Sequence, residues 1–163
     1  MIDAGYFAKA IAHNPVGLDL HEIREVCSVS HCISPAVEKW FATWRHNDFG
    51  WFNSVDDAWA VVTEAERPRY RLFAYRIELT RFRKGEGLPV SVPADVHPEP
   101  IPDTFESLGF DAVSKSADSG QGFECSPLSC NGLAGEVQAN EFCLFPTVQA
   151  ATDGAAGFSV GGC

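Results

Sequence analysis

The amino-acid sequence predicts an α+β fold, with a helical N-terminal third packed on a mixed or antiparallel sheet whose central strand lies near residues 70–82. Three observations lead there. Apolar residues in the first fifty positions recur at helical spacing behind good cap residues. Residues 70–82 alternate as a strand does. The 163 residues, 45% hydrophobic and 21% charged, suffice for one core without staples, so 1–163 reads as a single domain.

Asp3 is placed to cap a first helix in which Phe7 and Ile11 share a face, ended by Asn14 and Pro15. Asp19 does the same for a short helix carrying Leu20, Ile23 and Val26. Ser34 and Pro35 open a third, with Val37, Trp40, Phe41 and Trp44 at i, i+3, i+4 and i+7, and residues 47–50 end it. A short strand over 49–52 precedes Ser54, the cap of a fourth helix whose first turn holds Asp56 and Asp57. In the strand at 70–82, Phe73, Tyr75, Ile77 and Leu79 share one face and Leu72 and Ala74 the other. Residues 89–102 hold five of the ten prolines, which marks about 85–103 as a surface loop. Beyond it the pattern predicts a helical turn at 103–109, strands at 110–114, 122–125 and 141–145, and a weak helix from Thr147.

One internal similarity stands out. Residues 47–58 can be laid over 140–151, with Asn, Phe, Phe, Val and Ala identical at five positions. Both copies read as strand, tight turn, Ser or Thr cap, then helix. A common supersecondary unit and a duplication are both open at this point.

The formal net charge is −10, unevenly spread: residues 67–84 hold seven of the twelve Lys and Arg against one acid, Glu78. That segment is +6 and the remainder −16. The overall sign speaks against generic nucleic-acid binding. The basic stripe, with Arg69 and Arg71 as candidate binding residues, either neutralises the chain's own acids or holds one anionic group. No apolar run approaches the ~20 residues of a membrane span. The N-terminus has neither a basic nor an apolar signal region, which points to the cytoplasm, where the six cysteines stay reduced.

Chemistry-bearing patterns are few. Cys27 and Cys32 share a C-x4-C spacing with Cys125 and Cys130, and four thiolates are a ligand set that zinc accepts. The four-residue spacing fits a zinc knuckle poorly, so a metal–thiolate centre ranks third and no cofactor is expected. Cys125 or Cys130, in a turn-rich stretch at a strand end, is a candidate nucleophile with His31 or His46 as its base. The Gly-rich phosphate loop, the nucleophile elbow and the HExxH motif are missing. All four tryptophans fall within 40–59; Trp51 and Phe52, adjacent on a strand, point opposite ways, so one of them is a candidate contact for a ligand or partner. Whether the chain is an enzyme stays open. The leading expectation is a non-catalytic binding or adaptor domain with an acidic surface and a protein partner; the alternative is a cysteine-dependent hydrolase or transferase.

Overall fold

The computed structural model describes residues 1–10, 25, 27, 46–78, 80–83, 86–89, 91–115, 123–126, 128 and 137–157. Strand β1 (Ile2–Ala10) pairs antiparallel with β2 (Tyr70–Ile77), helix α1 (Val55–Ala60) packs against this pair, and a single 3-10 turn (Arg67–Arg69) leads into β2. Two further antiparallel pairs follow, β3 (Thr80–Arg83) with β4 (Glu86–Pro89) and β5 (Ser114–Lys115) with β6 (Phe123–Cys125). Helix α2 (Val148–Gly157) closes the described chain. None of these helices is long and apolar enough to cross a membrane.

The predicted fold class is overturned at its first element. Residues 2–10 form a strand where a helix was expected, and the described chain carries two short helices and two-stranded sheets rather than a helical N-terminal third. Local spacing of Phe7 and Ile11 fits a helix, but long-range pairing wins: Phe7 lies opposite Phe73, Ala8 opposite Leu72 and Lys9 opposite Arg71. Ala4 to Lys9 are all buried, so both faces of β1 are covered and the period-two signature of a half-exposed strand is erased. The helices expected over 19–26 and 34–46 lie outside the described residues, apart from Glu25 and His46. The strand expected over 70–82 begins at Tyr70 but stops at Ile77, and Thr80–Arg83 turns into a separate hairpin with Glu86–Pro89, inside the stretch expected to be loop. The turn at 103–104 is not continued as a helix.

Around Asn47 and Asn140 the chain builds the same turn twice. Asn47 N–H donates to the Trp51 carbonyl (2.7 Å) and Gly50 N–H to the Asn47 carbonyl (2.7 Å). In the second copy, Asn140 N–H donates to Leu144 (2.8 Å) and Cys143 N–H to Asn140 (2.9 Å). The Asn side chains act alike: Oδ1 of Asn47 accepts from Phe49 and Trp51, and Oδ1 of Asn140 from Phe142 and Leu144. Each Nδ2 then donates to a carbonyl far away in sequence, that of Ala4 (2.9 Å) or Leu108 (2.7 Å). An Asn side chain is suited to this because one amide supplies acceptor and donor together.

The segment facing each turn repeats as well. Tyr6 exchanges two backbone hydrogen bonds with Phe52, and Phe110 exchanges two with Phe145. The residue before each aromatic is a glycine of positive φ, Gly5 at 142° and Gly109 at 145°. A Cβ on Gly5 would sit 2.7 Å from the Phe52 carbonyl oxygen and 2.9 Å from Trp51 Cβ. On Gly109 it would meet Leu144 Cβ at 2.8 Å and the Phe145 carbonyl oxygen at 3.0 Å. Position four of each turn is left-handed, Gly50 at 78° and Cys143 at 57°. Cysteine there costs about 1 kcal/mol that glycine does not.

Both units end in the capped helix read from sequence. Ser54 accepts from Asp57 N–H at 3.0 Å, and Thr147 accepts from Ala150 N–H at 3.1 Å. Each unit has its own buried cluster. The first gathers Tyr6, Phe7, Phe49, Trp51, Phe52 and Tyr75. The second, smaller one is built on Leu128, Cys143, Phe145 and Ala151. The structure therefore contains a two-fold repeat of a bridged glycine–aromatic segment, Asn turn and helix, joined by a proline-rich strap over 91–102.

Candidate functional site

Polar and ionisable side chains collect where the two units meet. Lys9 and Arg71 are cross-strand neighbours on the same face of the β1–β2 pair as Phe7, Phe73 and Tyr75. Lys9 is buried, with its Nζ 5.8 Å from the centre of the Phe73 ring. Arg71 grips the carboxylate of buried Glu25 with both terminal nitrogens, at 2.6 and 3.1 Å. This fork-to-fork geometry is the strong form of an ion pair, and partial burial lowers the screening that weakens exposed ones.

Next to that pair lies Cys27, whose thiol approaches Glu25 Oε2 at 3.9 Å. Its backbone N–H donates to the Phe142 carbonyl at 3.0 Å, and the Glu25 N–H donates to Glu141 at 3.1 Å. These two bonds tie residues 25 and 27 to the second turn. On that side the Cys143 thiol donates to the Leu128 carbonyl (3.3 Å) and Ser126 to Asp111 Oδ1 (2.6 Å). Ser126 Oγ in turn accepts from Leu128 N–H at 3.2 Å.

Ionisation is suppressed across this layer. Burial pushes the Cys27 thiol up from 9.0 to about 11; the Glu25 carboxylate adds to the rise, and Lys9 and Arg71 oppose it. Burial, then the charge of Asp111, raises Cys143 from 9.0 to about 11. Tyr75 is pushed well above its usual range, first by burial and then by Cys27 and Asp111. At neutral pH all three carry their protons, so both thiols are slow nucleophiles in this arrangement.

Two expected results follow. A thiol whose folded pKa lies above its unfolded value stabilises the fold fully below about pH 9 and loses that contribution as pH rises towards about 11. Urea midpoints measured at constant ionic strength should accordingly fall between pH 9 and 11, with Cys27→Ser flattening part of the slope; a flat wild-type profile contradicts the burial. The second concerns the Tyr75 hydroxyl, which is buried and has no hydrogen-bond partner among the described residues, its ring stacked 4.4 Å from that of Trp51. Deleting an unsatisfied hydroxyl removes a desolvation cost. Tyr75→Phe should be neutral or stabilising by about 1 kcal/mol, and a loss of that size in urea unfolding would show that the hydroxyl is bonded after all.

The residues singled out from sequence fall in several places. Trp51 and Phe52 are 1% and 0% exposed, so both belong to the core and neither offers a contact surface. The physical reason is that 49–52 is a tight turn docked on β1, with Phe52 bridged to Tyr6, rather than an extended strand with two faces. Arg69 is exposed in the 3-10 turn, and Arg71 is committed to Glu25. His46 is half-buried beside the first turn, its Nδ1 3.2 Å from the Asn47 carbonyl. Cys125 sits in β6, its backbone opposite Ser114. Cys130, His31 and Cys32 lie outside the described residues, and with them the four-cysteine metal centre and the thiol–imidazole pairings that involve Cys130 or His31. Among the described residues no three His, Cys, Asp or Glu side chains are grouped to hold a metal ion.

Lys9, Glu25, Asp111 and the two Asn residues were not singled out from sequence as site candidates. Only the Asn pair left a signal, as identical first residues of the two similar segments. No protein-family model matches this chain, and no curated protein and no solved structure shows significant similarity to it.

Proposed function

We propose that this chain is a non-catalytic binding domain of the cytoplasm whose acidic face engages a basic surface on another protein. The observation that carries the reading is the way the backbone that bears several acidic residues is fixed around the first turn. Asp48 N–H donates to Asp95 Oδ2 at 2.7 Å, and Asn53 Nδ2 donates to the Asp95 carbonyl at 2.8 Å. Glu99 N–H donates to the Asn53 carbonyl at 2.7 Å, and the Tyr6 hydroxyl donates to the carbonyls of Glu99 and Pro100, each at 3.0 Å.

The strap is thereby held against the turn, and Asp48, Asp56 and Glu99 are exposed. Like charges carried on a held backbone raise association rates with a basic partner and make binding salt-dependent. The compartment is supported by Cys27 and Cys143 being unpaired thiols.

Affinity capture from cell extract with wild type and with the triple variant Asp48→Asn, Asp56→Asn, Glu99→Gln, at low and high salt, tests the reading. A protein recovered by wild type, released by salt and lost in the variant supports it. Recovery of the same proteins by both forms overturns it.

A further inference from the structure

The two buried thiols at the junction lie on backbones that touch. Cys27 N–H donates to the Phe142 carbonyl at 3.0 Å, and Cys143 is the next residue. With fixed covalent lengths on either side of that bond, the Cα atoms of Cys27 and Cys143 are at most about 7 Å apart. Disulfides span Cα separations up to about 6.8 Å, so the pair is within reach of bonding with little backbone movement. Cys27 also lies in the field of Cys143, since an ionised Cys143 opposes its ionisation.

The repeat adds an independent observation. Cys143 takes a left-handed conformation whose counterpart, Gly50, is the residue suited to it. The second turn carries a sulfur where the first carries no side chain at all.

We propose that Cys27 and Cys143 form a reversible disulfide, a redox clamp between residue 27 and the second Asn turn. The oxidant is a low-molecular-weight disulfide such as glutathione disulfide. The Cys27 thiolate attacks one sulfur of the oxidant, forming a mixed disulfide; the expelled thiolate takes up the proton that Cys27 released. Cys143 then attacks Cys27 Sγ, the mixed disulfide breaks, and the second thiol departs with the Cys143 proton. Two protein thiols are oxidised by two electrons, and one small disulfide becomes two thiols. Burial of both sulfurs makes the reaction slow while the junction is closed, which restricts it to strongly oxidising conditions. The clamp does not depend on the acidic face or on any binding partner.

The test uses the full chain, incubated natively with excess glutathione disulfide, unfolded, alkylated with iodoacetamide, digested and sequenced by tandem mass spectrometry. The expected result is a peptide pair linked through Cys27 and Cys143, reversed by dithiothreitol. Cys143→Gly is the matched control, because Gly50 shows that the turn accepts glycine; it should lose the linked pair and the rise in melting temperature that oxidation gives the wild type. The proposal is overturned if Cys27 and Cys143 are both recovered alkylated after oxidation, or if either is linked instead to Cys32, Cys125, Cys130 or Cys163.

Discussion

Asn47→Ala should destabilise the fold by about 4 kcal/mol, because it strands buried backbone groups on both sides of the turn. The side chain is 3% exposed and accepts from Phe49 N–H (3.0 Å) while donating to the Ala4 carbonyl (2.9 Å). Alanine supplies neither atom. Each group left unsatisfied costs roughly 1–3 kcal/mol, so the sum decides the outcome. Asn47→Asp keeps the acceptor but turns the donor into a second oxygen facing the Ala4 carbonyl and Asn53 Oδ1, so it should be no milder. Asn140→Ala supplies the comparison. Asn140 is only half-buried, solvent reaches part of what the deletion exposes, and about 2 kcal/mol is expected. Urea unfolding of the two variants checks this ordering, and equal losses would refute the burial argument.

Gly5→Ala should cost about 3 kcal/mol, through backbone strain and collision together. At φ 142° an L-residue is strained whatever the space, and here the space is closed: the Phe52 carbonyl oxygen lies 2.7 Å from the new Cβ. That oxygen accepts from Tyr6 N–H, so moving it away breaks the bridge that docks the turn on β1. Gly109→Ala meets the same atoms of the second unit at 2.8 to 3.0 Å, and should show the same sign with a smaller loss. A melting temperature unchanged by Gly5→Ala would mean that the β1 bulge adapts freely, contrary to a strand covered on both faces.

How far the sequence was legible differs from element to element. Ser54 and Thr147 announced their helices because a cap is a local event, one hydroxyl and one amide three residues apart. The doubled turn was visible as repeated residues, but its meaning was not. Asn is common in turns for local reasons, and nothing in residues 47–50 reveals that Nδ2 reaches Ala4. β1 departs from its local signal because Asp3, Phe7 and Ile11 satisfy a helical pattern, whereas its strand character depends on partners sixty or more residues away. Gly5 inside that run, a poor helix residue, was the overlooked warning. For the same reason the junction was illegible: Lys9, Glu25 and Asp111 read as ordinary surface charges, and Arg71 as part of a basic stripe, until the fold brings them together. Trp51 and Phe52 passed for a possible surface because strand alternation was assumed where the chain makes a turn.

The covering of β1 has a bearing on synthesis. Its residues leave the ribosome well before Asn47, Phe52 and β2, the groups that enclose them. At about 5–20 residues per second, the nascent strand waits several seconds with Tyr6, Phe7 and Ala8 uncovered. During that interval it is an apolar extended segment without a ladder partner, the kind of stretch that pairs with other chains. Conditions that slow translation between residues 10 and 77 should therefore lower the soluble yield of this protein more than pauses placed after residue 77.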